Sequence, residues 1–320
     1  MTRLFDEWQQ FQERERECSD LMGKLDLYAA RLFGDYEPLI TPLEEIPRDF
    51  FERLDRWLRN FKGDTDRWNA FKLVDDIFFV GRHELNELYR LAFDHIACDW
   101  LVAQKNLHLD DPKFEEKLET ARNRTWFCPI TDSLRINAFR HINHISSPDY
   151  FPDWRSLALF GDIKKINNYI ENRIDHLVLI EDFIGTGTQV EPAIKFVKDH
   201  LKIPTLVVPL IICPTGDLML RKVATQESRI HYRPVLQLPP ACVIAETPAQ
   251  NEPDNVVRNR NTVESYRAIT ADADPYGFES GYGSLVVMHT NCPNNTIRPI
   301  HSQKRGWLPL FPRSTRRKAK

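Results

Sequence analysis

Residues 177–189 read LVLIEDFIGTGTQ. Leu177 to Ile180 are apolar, Glu181 and Asp182 are adjacent acids, and Gly185-Thr186-Gly187-Thr188 follows after two more apolar residues. Four consecutive apolar residues suit a strand buried on both faces. Carboxylates at the end of such a strand are costly unless they are paired or hold a cation. A glycine-threonine turn offers backbone N–H groups and hydroxyls, the donors that a phosphate takes. One ligand carrying hydroxyls, a metal and a phosphate would satisfy both halves of the stretch.

Working outward, the chain has 320 residues, enough for one large domain or two ordinary ones. Its 42% of hydrophobic residues is sufficient for a packed core rather than a disordered chain. The longest apolar run, Leu206 to Cys213, is interrupted by Pro209 and is far short of the roughly 20 residues of a membrane span. The opening MTRLFDEWQQFQERERE is charged almost throughout and reads against a secretory signal. Cysteines 18, 98, 128, 213, 242 and 292 form no C-x-x-C pair, the usage of a reduced protein with buried thiols. A cytoplasmic protein with no membrane segment is expected.

The net charge of −3 is unevenly spread: Lys304 to Lys320 holds seven Lys or Arg and no acid, leaving 36 positive against 46 negative residues elsewhere. A basic tail on an acidic body can touch nucleic acid or an acidic partner; equally it can be a solvated terminus.

The first 120 residues read as helical. Phe50, Leu54, Trp57, Leu58 and Phe61 fall at helical spacing after Pro47, with Gly63 as a stop. Leu85, Leu88, Ala92 and Ile96 form a second stripe. LVDDIFFVG (73–81) resembles the 177–189 pattern, but Phe71, Val74 and Phe78 keep helical spacing, so Asp75 and Asp76 read as a solvated helix face. Beyond residue 124 the rhythm changes. Apolar runs at 125–130, 177–182, 205–212, 241–246 and 284–290 alternate with helical stretches near 133–144, 162–174, 189–200, 216–226 and 255–270. The expected fold is α/β, a mostly parallel sheet flanked by helices, with a helical N-terminal region. The expected division is 1–123, 124–303 and a basic tail at 304–320. In such sheets ligands bind beyond the carboxyl ends of the strands.

Two familiar phosphate motifs fail on residues at 177–189. A G-x-G-x-x-G fingerprint needs glycine where Val190 stands, and no Lys follows to complete a G-x-x-x-x-G-K-[ST] loop. An ordinary strand–turn–helix with an Asx-type turn is the plain alternative. VLIEDFIGTGTQ resembles the ribose-phosphate loop of the type I phosphoribosyltransferases: apolar run, two acids, two apolar residues, then small-Thr-Gly-x-Thr. The resemblance implies that Glu181 and Asp182 hold the ribose hydroxyls of phosphoribosyl pyrophosphate and, through water, its Mg²⁺. It also implies that Gly185, Thr186, Gly187, Thr188 and the following Gln189 surround the 5′-phosphate. Many members place Asp where this chain has Gly185, and Gln189 replaces the last Thr of the loop.

The family also binds pyrophosphate after an earlier strand. Here TWFCPITDSLRINAF supplies a strand, the turn Thr131-Asp132-Ser133, and a helix carrying Arg135 and Arg140. The same turn residues would serve as a helix cap. SSPDYFPDWR (146–155) stands where the family carries a mobile lid. The stretch 281–313, GYGSLVVMHTNCPNNTIRPIHSQKRGWLPLFPR, resembles the end of phosphoribosyltransferase-like effectors of bacterial conflict and antiphage loci, some beside retron reverse transcriptases. That likeness would bring His289, Thr290, Asn291, Pro293, Asn294 and Asn295 toward the ligand; a structural Asn-rich turn is the plain alternative. The implied function is Mg²⁺-dependent transfer or cleavage at ribose C1. The rival is a nucleotide-sensing or protein–nucleic-acid assembly subunit without turnover, partnered for instance by a reverse transcriptase complex through the basic tail.

Overall fold

The computed structural model describes residues 12–38, 47–145, 152–277 and 282–313. Helices α1 (Gln12–Arg31), α2 (Phe50–Leu58) and α3 (Asp64–Leu73) precede strand β1 (Phe78–Val80). Then come α4 (Arg82–Leu91), α5 (Cys98–Gln104) and α6 (Phe114–Asn123). Strand β2 (Thr125–Pro129) is followed by α7 (Ile136–Ile142), α8 (Trp154–Phe160) and α9 (Ile163–Arg173). Next are β3 (His176–Ile184), α10 (Glu191–His200), β4 (Thr205–Ile212) and α11 (Pro214–Gln226). The remainder is β5 (Ile230–Tyr232), β6 (Leu236–Gln237), β7 (Val243–Ala245), α12 (Asp254–Thr270), β8 (Tyr282–Ser284), β9 (Val286–Met288) and α13 (Arg298–His301).

The chain divides into two units, one of residues 1–82 with 239–320 and one of 83–238. These boundaries differ from those expected at 123 and 303: α4 to α6 join the sheet unit, and the chain after β6 joins the first helices. In the 83–238 unit the sheet order is β2-β3-β4-β5, with β6 beside β4 and every pair parallel. β3 is therefore interior, flanked by β2 through Cys128↔Leu179 and by β4 through Leu179↔Val207. Its near-continuous apolar run fits this position, because both faces are covered. Trp126, Cys128, Leu177 and Leu179 pack with Ile166, Ile170, Ile194 and Leu220 of the helices on one face. On the other, the rings of Phe93, Phe127 and Phe139 meet in tilted and edge-on contacts.

The second apolar stripe is shifted. Ala92–Ala97 forms a π-helical turn, which widens the coil by one residue. Leu85 and Tyr89 are buried at ordinary i, i+4 spacing before this turn, and Phe93 and Ala97 are buried within it, while Leu88 and Ile96 are only half-buried.

In the other unit, Phe50, Leu54, Trp57, Leu58 and Phe61 are all buried. Asp49 caps α2 by accepting from the Glu52 N–H, and Gly63 starts α3 rather than ending α2. Two expected strands do not join the main sheet. Val243–Ala245 pairs antiparallel with Tyr282–Ser284, and Val286–Met288 pairs parallel with Phe78–Val80. The run at 284–290 breaks at Leu285, whose N–H and carbonyl go to Cys242 and Phe78. The helical reading of 73–81 is corrected accordingly: a single 3₁₀ turn, Val74–Asp76, leads into β1. Asp76 is not merely solvated, since it accepts from Arg258, Asn255 and Asn259. Residues 304–313 are no loose tail: Trp307, Leu310 and Phe311 are buried, and Lys304 pairs with the buried Asp272. The last residues of the expected tail, 314–320, lie outside the described residues, as do 146–151 of the expected lid and Gly281.

Candidate functional site

The parallel pairing sets the ends of β2 and β3 side by side. Pro129 stands opposite Ile180, and the Ile130 N–H donates to the Ile180 carbonyl at 2.9 Å. The next residues on each chain, Thr131-Asp132-Ser133 and Glu181-Asp182, therefore meet. The Thr131 N–H donates to Glu181 at 2.8 Å, and the Thr131 hydroxyl donates to the other oxygen of the same carboxyl. The Ser133 hydroxyl lies 2.9 Å from both Glu181 Oε1 and Asp182 Oδ1 and 2.7 Å from the Thr131 hydroxyl. Its single proton is shared among more acceptors than it can satisfy at once.

The two acids are not equivalent. Glu181 is fully buried, whereas Asp182 is half-buried and also accepts from the Phe183 N–H. Burial first, and the Asp182 charge second, raise Glu181 well above the usual carboxylate range, against the pull of the Thr131 and Ser133 bonds. Tyr89 completes this neighbourhood. Burial, then the Asp182 charge, push its phenol upward, while Arg135 acts in the opposite sense. Tyr89 is absent from the expected stripe because that stripe runs through Leu88, three residues after Leu85, whereas the structure buries the residue four after it.

Beyond β3 the chain turns through Gly185–Val190 into α10. The turn closes with the Val190 N–H on the Gly187 carbonyl, and the Gln189 side-chain amide donates back to the Phe183 carbonyl. The Thr186 and Thr188 hydroxyls lie 3.0 Å apart. The backbone N–H groups of Thr186, Gly187, Thr188 and Gln189 find no acceptor among the described residues. Four donors and two hydroxyls at the start of a helix make a cradle for an anion. Gly187 adopts φ +95°, a conformation that side chains resist, and a Cβ there would strike Met219. The start of α11 backs the turn, with the Gly216 N–H donating to the Gly185 carbonyl at 3.0 Å.

Arg155, on α8, lies 3.6 Å from Asp132 and also pairs with Asp153. The Trp154 indole N–H holds this helix to the Ile130 carbonyl at 2.9 Å. The signal for Arg155 lay in the expected lid, but no spacing tied it to Asp132. Arg140 instead donates to the Phe127 carbonyl. Asn294 and Asn295 belong to the other unit, as does the buried His289. Asn294 is exposed there, while Asn295 is buried and its carbonyl accepts from the Ser284 N–H.

Among the described residues no three His, Cys, Asp or Glu side chains gather as a metal cage. The donor set at the strand ends is nonetheless all oxygen, which fits a hydrated Mg²⁺ held by one or two carboxylates and by ligand oxygens. No helix among the described residues is long and apolar enough to cross a membrane.

Neither a curated protein nor a solved structure matches the chain. The PRTase-CE family model matches residues 54–313, which takes in both strand-end turns and every described residue except 12–38 and 47–53. On that coverage the chain belongs to the PRTase-CE family, a phosphoribosyltransferase-like family.

Proposed function

We propose that the protein binds phosphoribosyl pyrophosphate or a related ribose 5-phosphate nucleotide at the ends of β2 and β3, and acts at ribose C1. The observation that carries this reading is the turn after β3, with four uncommitted amides directly behind two carboxylates. The amides of 186–189 with Thr186 and Thr188 take the 5′-phosphate; Asp182, the more accessible acid, accepts from the ribose hydroxyls. Glu181 and the Thr131–Ser133 turn exchange their mutual bonds for bonds to the ligand. Asp182 and Glu181 would hold Mg²⁺ through water, and when bound that ion neutralises the pyrophosphate. In transfer or cleavage the C1–O bond to pyrophosphate breaks, pyrophosphate leaves with the electron pair, and an acceptor nucleophile or water forms the new bond to C1. The resemblance of 281–313 supports a role as an effector of bacterial antiphage defence, with a nucleic-acid or reverse-transcriptase partner reached through the basic tail.

A second reading, ligand sensing without turnover, is favoured by one observation. Gly185 stands where an acid serves many phosphoribosyltransferases, and its carbonyl is already bonded to Gly216. Calorimetric titration with phosphoribosyl pyrophosphate, with and without Mg²⁺, tests the shared core of both readings: saturable, Mg²⁺-strengthened binding is expected, and no binding refutes it. Release of pyrophosphate then separates enzyme from sensor.

A further inference from the structure

Tyr89 of α4 carries a hydroxyl that the protein itself leaves unused. The residue is 2% exposed, and its ring packs edge-on against Phe139 of α7, with centroids 5.8 Å apart. A buried tyrosine usually commits its hydroxyl to a protein partner, as Tyr36 does to the Pro312 carbonyl, Tyr266 to Asp272 and Tyr276 to Glu264. The Tyr89 hydroxyl has no hydrogen-bond partner among the described residues, yet its oxygen is not sealed from water as the indole nitrogens of Trp100 and Trp126 are. The tip of an otherwise buried side chain therefore opens on accessible space.

The packing fixes where that tip points. Asn143, at the end of α7, donates its side-chain amide to the Tyr89 carbonyl at 3.2 Å, so the Tyr89 backbone sits beside the last turn of that helix. The ring meets Phe139, one turn nearer the start, and Arg135 is one turn further again. Tyr89 thus runs along α7 toward its head, which follows directly on the Thr131–Ser133 turn and its contacts with the two acids. After the larger effect of burial, the charges of Asp182, Arg135 and Glu181 all act on the phenol, which stays protonated and able to donate. Tyr89 and Asp182 are neighbours that share no hydrogen bond. A group that bridges them must accept from a phenol and donate to a carboxylate. A hydroxyl does both, whereas a phosphate oxygen only accepts and would face the carboxylate charge. Given a phosphorylated ribose on the strand-end turns, as proposed above, the geometry points to Tyr89 as a specificity-determining residue: its hydroxyl donates to a ribose ring hydroxyl that in turn donates to Asp182. Burial has already fixed the ring, so little freedom is lost on binding. A sugar without the ring hydroxyl would strip water from the phenol and give nothing back, which is the basis for rejecting it.

The full chain is titrated calorimetrically with ribose 5-phosphate, and 2,3-dideoxyribose 5-phosphate, which keeps the phosphate and lacks both ring hydroxyls, is read by competition. The unsubstituted protein should favour ribose 5-phosphate. Tyr89→Phe should weaken that sugar about five- to tenfold and leave the dideoxy sugar unaffected. Its melting temperature without ligand should equal that of the unsubstituted protein, since the hydroxyl holds no protein group. No preference for ribose 5-phosphate, equal binding of it by both proteins, or equal weakening of both sugars overturns the role of Tyr89 and leaves the phosphate-binding reading standing. A variant that melts earlier or fails to fold without ligand shows the hydroxyl to be structural and overturns that role as well. Failure of both sugars to bind the unsubstituted protein overturns the underlying reading, and the role of Tyr89 with it.

Discussion

Glu181 and Asp182 are neighbours in sequence with opposite circumstances. Glu181 receives three hydrogen-bond donors from Thr131 and Ser133 in a fully buried position. Glu181→Leu would strand those donors, and a loss of about 1–3 kcal/mol in unliganded stability is expected. Glu181→Gln retains an acceptor and the shape, so its loss should be distinctly smaller. Thermal melts of both variants without ligand check this. Asp182→Asn should leave the melting temperature nearly unchanged. It should weaken phosphoribosyl pyrophosphate by roughly tenfold or more, the worth of one charge-assisted hydrogen bond at about 1.5–3 kcal/mol. Thr186→Val should weaken 5′-phosphorylated ribose ligands and spare their unphosphorylated analogues, measured by the same titration. At this scale the sequence was informative about which residues meet, since two acids and a Gly-Thr turn carry their chemistry locally. It was silent on which acid is buried, because that depends on Thr131 and Ser133, some fifty positions away.

Long elements were legible with their neighbours, whereas short ones were legible at most as strands and not in their pairing. β3 and β4 declare themselves through apolar runs that both faces of a sheet require. Of the three-residue strands, β7 and β9 lie inside the apolar runs expected as strands at 241–246 and 284–290, but their pairings, such as Phe78 with Val286, join residues far apart in sequence and have no local signal. Asp76 was misjudged for the same reason: the side chains that hydrogen-bond it lie on α12. Among the helices, α11 has the tightest link to the candidate site. A Cβ on Gly216 would lie 2.7 Å from the Gly185 carbonyl oxygen and 2.9 Å from Ile184 Cγ2. Gly216→Ala must therefore displace the turn, at a cost typical of overpacking, about 1–3 kcal/mol. Several-fold weaker binding of ribose 5-phosphate, with secondary structure retained by circular dichroism, is the expected outcome.

At the scale of the molecule, each unit stores an imidazole that burial keeps neutral. Burial lowers His176 to about 4 and His301 to about 3, both against an ordinary 6.5. The unfolded chain takes up these protons first, so the stability these two histidines contribute should be complete above pH 6.5 and fall as pH drops toward 4 for His176 and 3 for His301. The raised Glu181 acts in the opposite sense, its contribution being lost as pH rises. A hydrogen bond from Arg124 holds Asp175 at about 2, so a further loss should follow between pH 3.8 and 2. Denaturant melts at pH 7, 5 and 4 check the first window, and His176→Phe should flatten it in part. The C-terminal segment gives a second test. Deleting 314–320 should leave melting unchanged while weakening any salt-sensitive association with nucleic acid. Deleting 304–320 removes Trp307, Leu310 and Phe311 from a buried aromatic cluster with Phe33, Phe50 and Phe61, and should unfold the 1–82/239–320 unit.

That unit is made from both ends of the chain around an uninterrupted middle, which fixes an order of events during translation. When residue 238 has left the ribosome, everything needed for the β2-β3-β4-β5 sheet and both strand-end turns has been synthesised. The segment that must receive Phe311 and Trp307, by contrast, is made near the beginning of synthesis and waits, at about 5–20 residues per second, for some tens of seconds at most before those residues follow. Domains fold as units while synthesis proceeds. The turn after β3 is thus expected to form before the companion unit, and the opening helices are the natural place for a chaperone to hold the growing chain.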